Sequence, residues 1–103
     1  MKIRCGDHRF IYVWVVVVGG RVIIRSWNDK KRGWYRAFLA EPRGAILVGE
    51  REVKVRALPV TSVRLIDAAS DAYALKYRSK SNAKYVRGFR TARRKRNTLE
   101  LVP

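Results

Sequence analysis

The sequence predicts a small, mainly β, α+β domain, and three observations carry that expectation. Phe10 to Val18 reads FIYVWVVVV and holds four consecutive valines, Val15 to Val18. β-Branched residues in such a run disfavour a helix and suit a strand buried on both faces. Gly19-Gly20 follows, a two-residue hairpin signal. Arg51 to Val60 alternates, with Val53, Val55 and Ala57 facing one way and Glu52, Lys54 and Arg56 the other. That is the pattern of an antiparallel strand with one buried face.

The other elements follow in chain order. Arg21 to Trp27, RVIIRSW, is the strand returning from the glycine turn. Asn28 to Gly33 is a polar, basic loop. Trp34 to Ala40 is a short helix, because Trp34 with Phe38 and Tyr35 with Leu39 form i,i+4 pairs on one side. Glu41 ends it, since the residue before Pro42 avoids the helical region. Ala45 to Val48 is a short strand that turns at Gly49-Glu50. Ala69, Tyr73 and Tyr77 at helical spacing predict a helix over Ile66 to Tyr77. Ser79 to Ala83 breaks it, Lys84 to Arg94 is a second helical stretch, and Thr98 to Val102 is a final strand. With Phe10 to Val18 as the first strand, the short helix comes after the second, and one or two helices lie towards the C-terminus. Nothing reads as a repeat or linker, so residues 1–103 are expected to form a single domain.

Apolar residues make up 48% of the chain, enough for a packed core. Lys and Arg number 24 against 8 Asp and Glu, a formal charge of +16. A charge of that size repels itself and points to an anionic partner. The classes are nucleic acid, an anionic membrane surface or a phosphorylated small molecule. The longest apolar run, Phe10 to Val18, is too short to span a bilayer as a helix. Asp7, His8 and Arg9 precede it, unlike a signal peptide. Cys5 is the only cysteine, which rules out an intrachain disulfide and fits a reducing compartment. A cytoplasmic location is expected. A strand as apolar as Phe10 to Val18 would leave a patch that a second copy could cover, so a homodimer is expected.

Metal and hydrolytic chemistry find little support. A zinc site needs three or four ligands, and Cys5 with His8 supplies two at most. As a nucleophile and base the two lie only three residues apart, and the plainer reading makes them ordinary residues leading into the first strand. No glycine loop of Walker or Rossmann spacing is present.

The loop before the short helix is more informative. Lys30, Lys31 and Arg32 stand where the partial positive charge of a helix N-terminus prefers acids. They make sense there if an anion lies between the cations and the helix, and Gly33 would let it approach the backbone. The plainer alternative is a solvated basic loop. Trp27, Trp34 and Tyr35 bracket the loop; they either line a flat pocket for a ring or pack strand against helix. A second basic region, Lys84 to Arg96, includes Arg90, Arg93, Arg94, Lys95 and Arg96; Tyr85 and Phe89 are its only aromatics, short of the several stacking platforms of single-strand recognition on a sheet face. It lies within a stretch, Ala72 to Leu99, that carries ten cations and no acid. This resembles a nucleic-acid patch, with a solvated surface as the alternative. As solvated cations, Arg93 to Arg96 are expected to add polyanion affinity and little stability.

Several strings resemble a known group. Trp14 to Trp27, WVVVVGGRVIIRSW, and Arg32 to Ala37, RGWYRA, resemble the uncharacterised bacterial family DUF2255. They are also similar to the deazaflavin-dependent nitroreductase relatives of the flavin-reductase split barrels. Trp34-Tyr35-Arg36-Ala37-Phe38 through Pro42 matches the spacing of the W-Y-x-N-L-x-x-x-P string of those relatives, with Ala37 in place of its asparagine. Ala72 to Tyr77 and Thr98 to Pro103 fit as well. The resemblance implies a split β-barrel of about six strands that usually dimerises. It implies FMN or a deazaflavin at the barrel edge, with its phosphate at the strand end and loop before the short helix. Carried onto this chain, those positions are Arg25, Ser26, Lys30, Lys31, Arg32 and Gly33, with Trp34 and Tyr35 close by. Related proteins carry a further N-terminal segment over the cofactor, whereas this chain begins at or just before the first barrel strand. The function implied is an oxidoreductase that transfers hydride through its cofactor. The alternatives are a basic nucleic-acid-binding domain and a partner-binding domain without a ligand.

Overall fold

A computed structural model describes residues 1–103. Seven antiparallel strands form one sheet: β1 Lys2–Cys5, β2 Ile11–Tyr12, β3 Val15–Val18, β4 Arg21–Arg25, β5 Arg43–Val48, β6 Arg51–Pro59 and β7 Thr98–Val102. The helices are α1 Trp34–Ala40, α2 Val63–Lys76, α3 Ala83–Phe89 and α4 Ala92–Lys95. A 3-10 turn, Lys80–Asn82, leads into α3. The fold is thus α+β and mostly β.

The strand order is β2-β1-β5-β6-β7-β4-β3, so β2 and β3 hold opposite edges of the sheet. Yet only Val13 and Trp14 separate them in the chain. Three Cα steps from Tyr12 to Val15 reach at most about 11 Å. The sheet therefore curls until its two edges nearly meet. This corrects the expectation of one strand from Phe10 to Val18. The run splits because its first part pairs with β1 and its second with β4, as Ile3↔Ile11 and Val16↔Ile23. Gly19 and Gly20 make the β3–β4 turn, both at positive φ (56° and 79°).

The expected sequence of elements changes in three further ways. β1 was not foreseen, because a strand of four residues with only Ile3 and Cys5 buried leaves almost no pattern to read. With β1 and the split run counted, the short helix follows the fourth strand rather than the second, and the strands number seven. The helical stretch from Lys84 to Arg94 is two helices. Thr91 turns to extended backbone (φ −67°, ψ 147°), and its side chain accepts a hydrogen bond from Arg94 N to start α4.

The core has two parts. On one face of the sheet, Ile3, Val15, Ile24, Ile46, Val55 and Leu99 pack together with Phe38 of α1. On the other, Val16, Ile23 and Val60 meet Ala69 and Tyr73 of α2 and Phe89 of α3. α2 also closes the free edge of β3. Tyr73 Oη donates to Trp14 O at 2.8 Å, and Lys76 Nζ donates to Val15 O at 2.7 Å. Val15 N donates to Tyr77 Oη at 3.2 Å. An exposed strand edge is a template for unwanted pairing, and these side chains occupy it. Of the run that suggested dimerisation, only Tyr12 and Val17 stay exposed. The apolar patch is smaller than the sequence implied. No helix is long and apolar enough to cross a membrane.

Candidate functional site

Where the two sheet edges approach, a cavity of about 400 Å3 opens. Its walls include Tyr12, Trp14, Trp27, Trp34, Tyr85 and Phe89, with Val13 and Arg25 completing them. The six rings arrive from five pieces of the fold. Trp14 sits in the two-residue link between the edge strands and stacks on Tyr77, centroids 4.1 Å apart. Trp27 leaves the end of β4, α1 supplies Trp34, and α3 supplies Tyr85 and Phe89. Aromatic walls around a volume of this size suit a planar ring.

Trp34 also lines a second recess, of about 290 Å3. Arg4, His8, Arg9 and Arg32 line it, with Gly33 and Cys5. Aromatic pocket and basic recess thus share one wall. Arg9 and Arg32 have no ion pair, while Arg4 Nη2 lies 2.6 Å from Glu52 Oε1.

The residues expected at the site fall into three groups. Arg32, Gly33 and Trp34 come together at the junction of pocket and recess. Lys30 and Lys31 are exposed beside them, on a loop shaped by Lys30 N donating to Asn28 Oδ1 and by Gly33 N donating to Lys30 O. Asp29 of this loop holds Arg36 and Arg93, each at 3.4 Å. Ser26 and Tyr35 point elsewhere, and Arg25 reaches the aromatic pocket but not the recess. Ser26 is buried, its N–H on Asn97 O and its hydroxyl on Asn28 O. Tyr35 donates its hydroxyl to Arg96 O at 3.2 Å.

Arg25 is 2% exposed. Its Nε donates to Thr98 Oγ1 at 2.8 Å. Its Nη1 donates to Ser70 Oγ at 2.8 Å and Phe89 O at 2.9 Å, and its Nη2 to Ile66 O at 3.0 Å. Burial pushes this guanidinium below its ordinary pKa. All four acceptors are neutral, so the cation beside the aromatic pocket has no carboxylate bonded to it. Lys30, Lys31 and Arg25 therefore do not share one cradle. Arg4, His8 and Arg9 take the place beside Arg32 that the sequence assigned to the strand end.

The basic run near the C-terminus is not a row of free cations. Arg90 lies 3.0 Å from Asp71 and Lys95 3.4 Å from Asp67. Arg94 lies over Trp27, its Cζ 3.5 Å from the ring centroid, and donates to Trp27 O at 2.7 Å. Of the five, only Arg96 has no side-chain partner. Exposed pairs of this kind are weak and reversible, but the expectation of four solvated cations from Arg93 to Arg96 needs correcting.

The model of one protein family matches residues 4–101; its description is "Uncharacterized protein conserved in bacteria (DUF2255)". The match takes in nearly the whole chain. The protein belongs to the DUF2255 family. Neither the curated proteins nor the solved structures yield a match. For this member of DUF2255 the site's own chemistry has to carry the functional reading.

Cys5 and His8 both line the basic recess, but the Cys5 thiol is quiet. Cys5 is 6% exposed, and its thiol donates to Glu41 O at 3.2 Å. Burial, then the nearby Glu41 charge, pushes the thiol pKa up. The thiolate is the reactive form, so a raised pKa leaves Cys5 inert. In a thiol-reagent assay near pH 8, the native protein should react at least tenfold more slowly than in urea. Equal rates would place a reactive thiol in the recess.

Proposed function

We propose that this protein binds a phosphorylated planar ring of the flavin or deazaflavin type and serves as a cofactor-dependent oxidoreductase on a split-barrel scaffold. The observation that carries the reading is the six-ring pocket sharing Trp34 with a recess lined by Arg4, Arg9 and Arg32. A ring with an anionic tail needs those two environments side by side. The curled sheet, its edges joined through Val13 and Trp14, supports the scaffold assignment.

The residues fit such a group. Trp27, Trp34 and Tyr85 would cover the ring, and the Arg25 charge favours an electron-rich edge in the pocket. Arg9 and Arg32 would hold the phosphate, with Lys30 and Lys31 raising the local potential. When bound, the cofactor supplies hydride transfer. The chain's part is to hold the ring and exclude water from it. The pocket walls contain no His, Asp or Glu, so no side-chain acid–base pair stands there.

Titration with FMN or a deazaflavin tests this directly. The ligand's absorption band should shift saturably, with quenching of tryptophan emission. Lys31→Glu with Arg32→Glu should weaken binding at least tenfold and leave the fold intact, since acids suit a helix N-terminus. An unchanged spectrum at millimolar ligand would remove the cofactor reading.

A further inference from the structure

We infer that the outer face of α3 is a docking surface for single-stranded nucleic acid. The charge row rests on residues outside the pocket and recess, whereas its two rings, Trp27 and Tyr85, are shared with the pocket. Lys80, Lys84 and Arg87 are exposed, and none forms an ion pair or a side-chain hydrogen bond to a neighbour. The 3-10 turn passes straight into α3, because Asn82 and Ala83 are both in the right-handed helical region and Ala83 N donates to Lys80 O. The three cations, four and then three positions apart, therefore line one side of a continuous helical segment. At 1.5 Å per residue the row is about 10 Å long.

The contrast with the following helix is the main argument. Arg90, Arg93 and Lys95 each have a carboxylate, and Arg94 has Trp27. No carboxylate meets the row on α3, where only Lys84 has a ring beside it, in a stretch from Ala72 to Leu99 with no acid at all. Three like charges side by side on a helix oppose its stability by a few tenths of a kcal/mol per pair. A phosphate backbone would relieve that repulsion and release its counterions.

Two exposed rings select a single strand over a duplex. Tyr85 is 40% exposed, with Lys84 Nζ 5.0 Å from its ring centroid. Trp27 is 37% exposed and meets Tyr85 edge to face at 5.3 Å. Unpaired bases stack on such rings, whereas the bases of a duplex are already stacked on each other.

The test is fluorescence anisotropy of a labelled oligo-dT strand and a length-matched duplex over a salt series. The wild type should prefer the strand. Replacing Lys80, Lys84 and Arg87 together by Gln should reduce the steepness of log K against log salt by about 2, from about 0.7 per phosphate. Replacing Arg51, Lys54 and Arg56 together by Gln removes the same charge from β6 and should leave the slope unchanged. Tyr85→Ala should weaken strand binding about tenfold and duplex binding hardly at all. Equal effects of the two triple variants would overturn the docking surface, as would tighter binding of the duplex. The row on α3 lines neither cavity, so the Lys80, Lys84 and Arg87 variant should titrate with FMN like the wild type. The charge variants therefore separate the two readings, whereas Tyr85→Ala bears on both.

Discussion

Arg25→Ala should lower the free energy of unfolding by about 3 kcal/mol or more, read as a fall in the urea midpoint. The side chain is 2% exposed and ties β4 to three other elements: Thr98 of β7, Ser70 and Ile66 of α2, and Phe89 at the end of α3. Hydrogen bonds from a charged donor contribute more than neutral ones, and truncation also leaves a cavity. A domain of this size has about 5–15 kcal/mol in all, so the loss is a large fraction. Arg25→Lys should recover less than half of it, because an ammonium cannot reproduce the planar fork that reaches all four acceptors. The opposing term is desolvation: the cation is buried without a bonded carboxylate, and removing it relieves that cost. A loss under about 1 kcal/mol would show that desolvation offsets the four bonds and that Arg25 is no clamp.

Much of this fold was legible in the sequence because its signals are local. The glycine pair dictates the β3–β4 hairpin, and the alternation of Val53, Val55 and Ala57 with charges marks β6. Trp34 to Ala40 and Thr98 to Val102 form where their residues indicate. What stayed hidden is non-local. Nothing within Phe10 to Val18 says that its first half pairs with one sheet edge and its second half with the other. That division arises only when the sheet curls, which depends on every strand between them.

The site divides in the same way. Lys30 to Trp34 stood out because cations precede a helix start, and Arg32, Gly33 and Trp34 do reach the cavities. Arg4, His8 and Arg9 gave no such signal. Their approach to Arg32 depends on β1, which pairs with β5 through Ile3↔Ile46 far along the chain. Arg25 was placed at the phosphate by the resemblance to the split barrels. Strand parity instead turns it to the face covered by α2, where Ser70 and Ile66 wait. The acid-free composition of the C-terminal third was plain, but which of its cations are free was not. Asp29, Asp67 and Asp71 come from earlier in the sequence and neutralise Arg93, Lys95 and Arg90 only in the folded chain.

Gly88→Ala should separate the pocket from the rest of the protein. A Cβ at Gly88 would collide with Cη2 and Cζ3 of the Trp27 ring. Contacts that close are forbidden, so one partner has to move. Gly88 is held by the α3 backbone, whereas Trp27 is 37% exposed on the chain leaving β4, so the indole swings outward. Arg94, over that ring at 3.5 Å, loses its platform. Alanine gains about 1 kcal/mol of helix propensity over glycine, and displacement of Trp27 costs a similar amount of packing. The urea midpoint should therefore shift little. Tryptophan emission should move to the red as the indole enters water, and affinity for FMN or a deazaflavin should fall at least tenfold with one wall of the pocket gone. If emission shifts and ring affinity does not, the planar ligand binds elsewhere, and the six aromatic residues serve only to pack α3 against the closing edge of the sheet.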